Sequence, residues 1–162
     1  MFEEIGVNII VEKEKINGIL NDCFSDLNIH YFDQETTWEM SDKDNLNENS
    51  IYFSFIKNES EFPLKIEIGR TPSENGIERE QFIAKIISDK LNCKTIASYK
   101  PPKADDDYPS DSIIFHDGKA FFGNDSNTMW ADGEGGKVIE EYEINYIQHR
   151  FDKKAKIKQI RN

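Results

Sequence analysis

A chain of 162 residues with 37% hydrophobic and 12% aromatic content is long enough for one domain with its own core, because a domain of roughly 150 residues buries about 70% of its unfolded surface. Its isoleucine and phenylalanine content excludes a disordered acidic polymer, and the formal charge of −11 argues against attraction to free nucleic acid. The apolar run Val7–Val11 is far too short for a signal segment or a spanning helix, so a soluble cytoplasmic protein without a membrane partner is expected.

Ile5 to Val11 reads as a short strand. Ile16, Ile19, Leu20, Cys23, Phe24 and Leu27 recur at helical spacing and predict an amphipathic helix over 13–27 despite Gly18. Ile29, Tyr31, Trp38 and Met40 suggest extended chain, followed by a polar loop at 41–50. Ile51, Phe53 and Phe55 then alternate with Tyr52 and Ser54, and Leu64, Ile66 and Ile68 alternate with Lys65 and Glu67. This pattern predicts an antiparallel hairpin with one buried face.

Thr71-Pro72-Ser73-Glu74 has the chemistry of a helix start, with a capping hydroxyl, a proline at the first helical position and a glutamate able to reach back. Asn75-Gly76-Ile77-Glu78 offers a second start. The helix carries Ile83, Ile86, Ile87 and Leu91 with Phe82 beside them, and Asn92 suits a left-handed stop. A strand is predicted over 93–99, ended by Pro101-Pro102.

Ile113-Ile114-Phe115-His116, Asp117-Gly118 and Lys119-Ala120-Phe121-Phe122 form the strongest hairpin signal, since Asp-Gly suits a type I′ turn with two positive φ angles. Residues 123–136 read as a glycine- and aspartate-rich loop, 138–147 as extended chain, and 152–162 as a basic edge strand or tail. The order β-α-β-β-β-α-β-β-β-β, in a single domain over 1–162, predicts an α+β fold. Two amphipathic helices pack on one face of a mainly antiparallel sheet.

Catalytic motifs do not stand out. There is no glycine-rich phosphate loop ending in Lys-Ser/Thr, no Gly-x-Ser-x-Gly and no His-Glu-x-x-His. Cys23 and Cys93 lack metal spacing and are expected as buried reduced thiols. His30, His116 and His149 are expected to be structural, His116 facing Lys119 across its hairpin.

The densest charge is the stretch KADDDYPSD, residues 103–111. A calcium loop needs alternating oxygen ligands, a glycine at its sixth position and a bidentate glutamate at its twelfth, and this stretch has no such spacing. Three consecutive carboxylates also point in different directions in any regular backbone. No metal, cofactor or catalytic residue is therefore assigned. The alternatives are a small metal-dependent hydrolase joining the 105–111 aspartates to His116 or His149, and an acidic adaptor.

Residues 1–151 carry 15 Lys/Arg and 30 Asp/Glu, a net −15, whereas Lys153, Lys154, Lys156, Lys158 and Arg161 crowd the end. A body of that sign draws cationic partners, although acidity also serves solubility alone. The expected contacts are Asp105, Asp106, Asp107, Tyr108, Asp111, Trp130, Asp132 and Glu134. The carboxylates would steer a basic protein, and Tyr108 and Trp130 would serve as aromatic anchors.

The run from Asn75 to Phe122, with the helix EREQFIAKIISDKLNC, the strand KTIASY, an acidic loop and the hairpin SIIFHDGKAFF, resembles the layout of immunity proteins of bacterial polymorphic toxin and contact-dependent inhibition systems. That resemblance implies a small cytoplasmic protein without catalytic activity that neutralises a cognate toxin domain by binding it. It further implies a basic, nuclease-type toxin. The lysine-rich end departs from what a pure nucleic-acid mimic needs.

Overall fold

A computed structural model describes residues 3–33, 47–100, 111–125 and 137–158. Its elements are β1 (Glu3–Val7), α1 (Lys13–Cys23), β2 (Asn28–Tyr31), β3 (Ser50–Lys57), β4 (Leu64–Gly69), α2 (Gly76–Leu91), β5 (Thr95–Ser98), β6 (Asp111–His116), β7 (Lys119–Asn124) and β8 (Ile139–Ile144). Among the described residues the strands form one eight-stranded sheet, ordered β2-β3-β4-β1-β5-β6-β7-β8. Neighbours are antiparallel except β2 and β3, which run parallel. The fold is α+β and sheet-dominated, with the element order expected from sequence.

Strand alternation places Ile5 and Val7, Leu64, Ile66 and Ile68, Phe53, Ala97, Ile113 and Phe115 on one face. There they pack with Ile16, Ile19 and Leu20 of α1 and Ile83, Ala84 and Ile87 of α2 in one cluster. Both helices cover this face. A smaller cluster of Phe62, Ile96, Ile114 and Val138, with Phe121 against it, occupies the other face. Gly123 permits that packing, because a Cβ there would stand 2.9 Å from Ile114 Cδ1 and 3.0 Å from Val138 Cγ1.

The Asp-Gly turn forms as expected, with φ of 54° at Asp117 and 73° at Gly118, and Asn92 ends α2 in the left-handed conformation. Other boundaries move. The first strand lies at 3–7 rather than 5–11, because Asn8 exchanges hydrogen bonds with Lys94 through its own N–H (3.0 Å) and its side-chain oxygen (2.9 Å). Ile9 and Ile10 are left exposed. Helix α1 stops at Cys23, yet Phe24 and Leu27 stay buried in the following turn, so the apolar stripe outruns the helix. Trp38 and Met40 lie outside the described residues.

The capping box expected at Thr71–Glu74 is not made. Helix α2 starts at Gly76 after a left-handed Asn75 that makes no side-chain cap. A buried charge explains the difference. Arg79, with no exposed surface, pairs with the carboxylate of Glu3 and donates to the carbonyls of Pro72 (3.0 Å), Glu74 (2.6 Å) and Ala155 (2.9 Å). The loop before α2 therefore wraps a guanidinium, and Thr71 donates its hydroxyl to Glu3 instead of capping the helix.

The described part of the basic segment, 152–158, is neither an edge strand nor a tail. Phe151 and Ile157 form an isolated antiparallel bridge, and Asp152 Oδ1 accepts from Lys154 N (2.8 Å) and Lys156 N (3.0 Å) inside it. Phe151 lies 5.0 Å from the Phe82 ring and Ala155 is fully buried. These apolar residues seat the turn on the helices, and its lysines point outward. Among the described residues, no helix is long and apolar enough to cross a membrane.

Candidate partner-binding surface

The antiparallel order brings four strand ends together: the C-terminal ends of β5 and β7 and the N-terminal ends of β6 and β8. The chain leaves the described structure toward 101–110 after β5 and toward 126–136 after β7. Of the residues singled out from sequence, Asp105, Asp106, Asp107, Tyr108, Trp130, Asp132 and Glu134 lie outside the described residues. Asp111 lies within them. It opens β6 opposite Asn124, and its carbonyl accepts from Tyr99 N at 3.4 Å.

Helix α2 fixes this end of the sheet through Ser98. Glu80 Oε1 accepts from Ser98 N (2.6 Å), Gln81 Nε2 donates to Ser98 O (2.8 Å), and Glu80 Oε2 accepts from Glu4 N (3.0 Å). Burial pushes the Glu80 carboxyl up to about 7 although both N–H bonds favour its charged form. On the next pair of strands, Ser112 donates its hydroxyl to Asp125 at 2.6 Å.

An aromatic row runs outward from here. Tyr99 meets Phe122 edge-on at 6.1 Å, and Phe122 stacks on Tyr142 at 5.1 Å, leaving Tyr142 57% exposed. Burial, then the neighbouring Tyr142 and Asp111, raise the Tyr99 hydroxyl above its ordinary value. Glu140, Glu141 and Glu143 surround Tyr142 on β8 and are exposed. Across 111–125 and 137–144 the acidic residues are Asp111, Asp117, Asp125, Glu140, Glu141 and Glu143, against only Lys119 and Lys137. That imbalance gives the β6 to β8 side of the sheet a net negative charge.

His116 holds Glu140 in place. It pairs across the hairpin with Lys119, as expected, and its ring stacks on Phe121 at 4.4 Å. Its Nδ1 lies 2.8 Å from Asp117 Oδ2 and its Nε2 2.7 Å from Glu140 Oε1. Carboxylates accept only, so satisfying both at once takes the doubly protonated ring. His30 lies on β2, with a buried Nε2 that lacks a hydrogen-bond partner, and His149 lies in the irregular stretch after β8.

Among the described residues no group of three or more His, Cys, Asp or Glu side chains is arranged to hold a metal ion. Cys93 is a buried free thiol that burial pushes up to about 11, and Cys23 is a half-buried one raised by the same cause. Neither has the lowered thiol pKa of a reactive cysteine.

Sequence reasoning passed over Tyr99, Tyr142, Glu140, Glu141 and Glu143. The available signal was the Glu140-Glu141-Tyr142-Glu143 run, since a strand with polar residues on both faces belongs at a sheet edge. The lysine turn lies elsewhere, against the helices, where Lys153 O accepts from Asp26 N at 3.1 Å. Charge is thus divided between a carboxylate-rich sheet edge and a basic turn on the helix side. In comparisons with protein-family models, curated proteins and solved structures, nothing matches this chain.

Proposed function

We propose that this chain is a non-catalytic binding protein whose acidic sheet edge takes a basic protein partner. The observation that carries this reading is the exposed Glu140-Glu141-Tyr142-Glu143 run on the last strand of the sheet, with Tyr142 stacked on Phe122. A stacked tyrosine is a rigid anchor that offers apolar area for a partner to cover. The surrounding carboxylates speed encounter with a cationic surface. Free nucleic acid is disfavoured by the same field.

The resemblance of residues 75–122 to toxin-immunity proteins narrows the partner to a toxin domain, a basic nuclease-type one fitting the charge best, met in the cytoplasm. On this reading Asp105, Asp106, Asp107, Tyr108, Asp111, Trp130, Asp132 and Glu134 belong to the same recognition surface.

The test is growth of cells expressing a basic toxin domain, should one be encoded beside this chain's gene, with and without the chain. Rescue by the wild type is expected, and its loss in a Glu140→Lys, Glu141→Lys, Glu143→Lys variant whose melting temperature is close to wild type. Rescue that survives this charge reversal counts against the edge as the binding surface. Absence of any complex between the two proteins counts against the immunity reading itself.

A further inference from the structure

We propose that β8 is a docking edge, on which a cationic extended segment of the partner adds as a further strand. The inference rests on the acidic-binding reading and supplies its mode. Strand β8 ends the strand order and, among the described strands, pairs only with β7. Five of its six residues are exposed. Its outer row of backbone N–H and C=O groups is therefore a template, because main-chain pairing gives an added strand affinity while side chains choose its sequence.

Side-chain placement on β8 specifies the occupant. Tyr142 stands opposite Phe122 on the helix face, Glu143 opposite Phe121 on the other face, and Glu140 reaches His116 on that same face. A strand alternating lysine or arginine with apolar residues would set its cations beside Glu140 and Glu143 and its apolar residues beside Tyr142. The register shift lies opposite Phe122 and Gly123, so Tyr142 to Ile144 stay regular.

A second copy of this chain fits poorly. Fully overlapped antiparallel pairing of two β8 strands sets Glu140 against Glu143, and in-register parallel pairing sets each glutamate against itself. Like charges directly opposite destabilise a strand pair. The far edge, β2, is only four residues long and mostly half-buried.

The experiment uses the full isotope-labelled chain and three capped hexapeptides: alternating lysine and valine, its fully N-methylated analogue, and alternating glutamate and valine. The lysine–valine peptide should slow amide exchange across 139–144 by about tenfold at saturation and bind about tenfold more tightly than the N-methylated form, which keeps the charges but donates no backbone hydrogen bond. Equal binding of the two cationic peptides without added protection overturns strand addition and leaves the acidic-binding reading standing. No binding by either cationic peptide, or equal binding by the glutamate peptide, overturns both.

Discussion

At Arg79 a full charge is wholly buried, and its hydrogen bonds join three segments: Glu3 of β1, the loop carbonyls of Pro72 and Glu74, and Ala155 in the last turn. Two buried charges are tolerated only when the desolvation of each is offset by the other and by further bonds. Arg79→Met strands Glu3 and is expected to cost about 3–5 kcal/mol in urea unfolding. Glu3→Gln combined with Arg79→Met should recover part of that loss, because the two residues act as one unit. A single-variant loss below about 1 kcal/mol would remove the pair from this role.

Glu80 beside it makes stability depend on pH. Its folded value near 7 stands above the ordinary 4.5, so between those values the folded chain keeps a proton that the unfolded chain releases. Stability from this group is therefore highest at acid pH, falls as pH rises from about 4.5 to about 7, and is flat beyond. The full amplitude is roughly 3 kcal/mol. Unfolding measured at several pH values should show this falling component in wild type and not in Glu80→Gln, whose amide also loses one of the two backbone N–H bonds. An equal slope in both proteins would assign the pH dependence elsewhere.

Elements were legible where local chemistry and packing agree. The Asp117-Gly118 hairpin needs only two adjacent positive φ angles, and periodic isoleucines mark α1 and α2 because each helix is stabilised by burying one stripe. Legibility fails where distant partners decide. Nothing near Thr71 announces that Glu3 will claim its hydroxyl, and nothing near His116 points 24 residues ahead to Glu140. The face of α2 also turns relative to expectation: Ile83 and Ile87 are fully buried, whereas Phe82 and Ile86 only pack against the core's margin. Ile87→Ala should accordingly cost about 2–5 kcal/mol in urea unfolding, more than the same change at Ile86.

Glycines test the elements from opposite sides. Gly18 is exposed in α1 with open space around its Cβ position, so Gly18→Ala should stabilise by about 0.5–1 kcal/mol. Gly123 is walled by Ile114 and Val138, so Gly123→Ala should destabilise by about 1–3 kcal/mol through overpacking. Thermal melts of the two variants should move in opposite directions. A Gly123→Ala melt at or above that of the wild type would mean that the close approach at Gly123 is absorbed without cost.

Across the whole molecule, the first strand and the last turn are brought together. Strand β1 is inserted between β4 and β5 in the sheet interior, Glu3 on it pairs with Arg79, and Arg79 reaches on to Ala155, while Phe151 covers Phe82 and lies 5.5 Å under the same guanidinium. Contacts between residues so far apart in sequence close large loops, so their stability is shared by the whole fold rather than held locally. Ending the chain after Arg150 is therefore expected to lower the single unfolding transition by about 3 kcal/mol or more, the scale of losing a buried phenylalanine, with the lost bond from Arg79 to Ala155 adding to it. Changing Lys153, Lys154, Lys156 and Lys158 to Gln instead removes only exposed charge, and each change should stay within about 0.5 kcal/mol. Denaturant unfolding of the two proteins separates the contributions: a truncated chain as stable as wild type would show that the C-terminal turn is carried by the fold, and a destabilised lysine variant that its charge, not its packing, secures it.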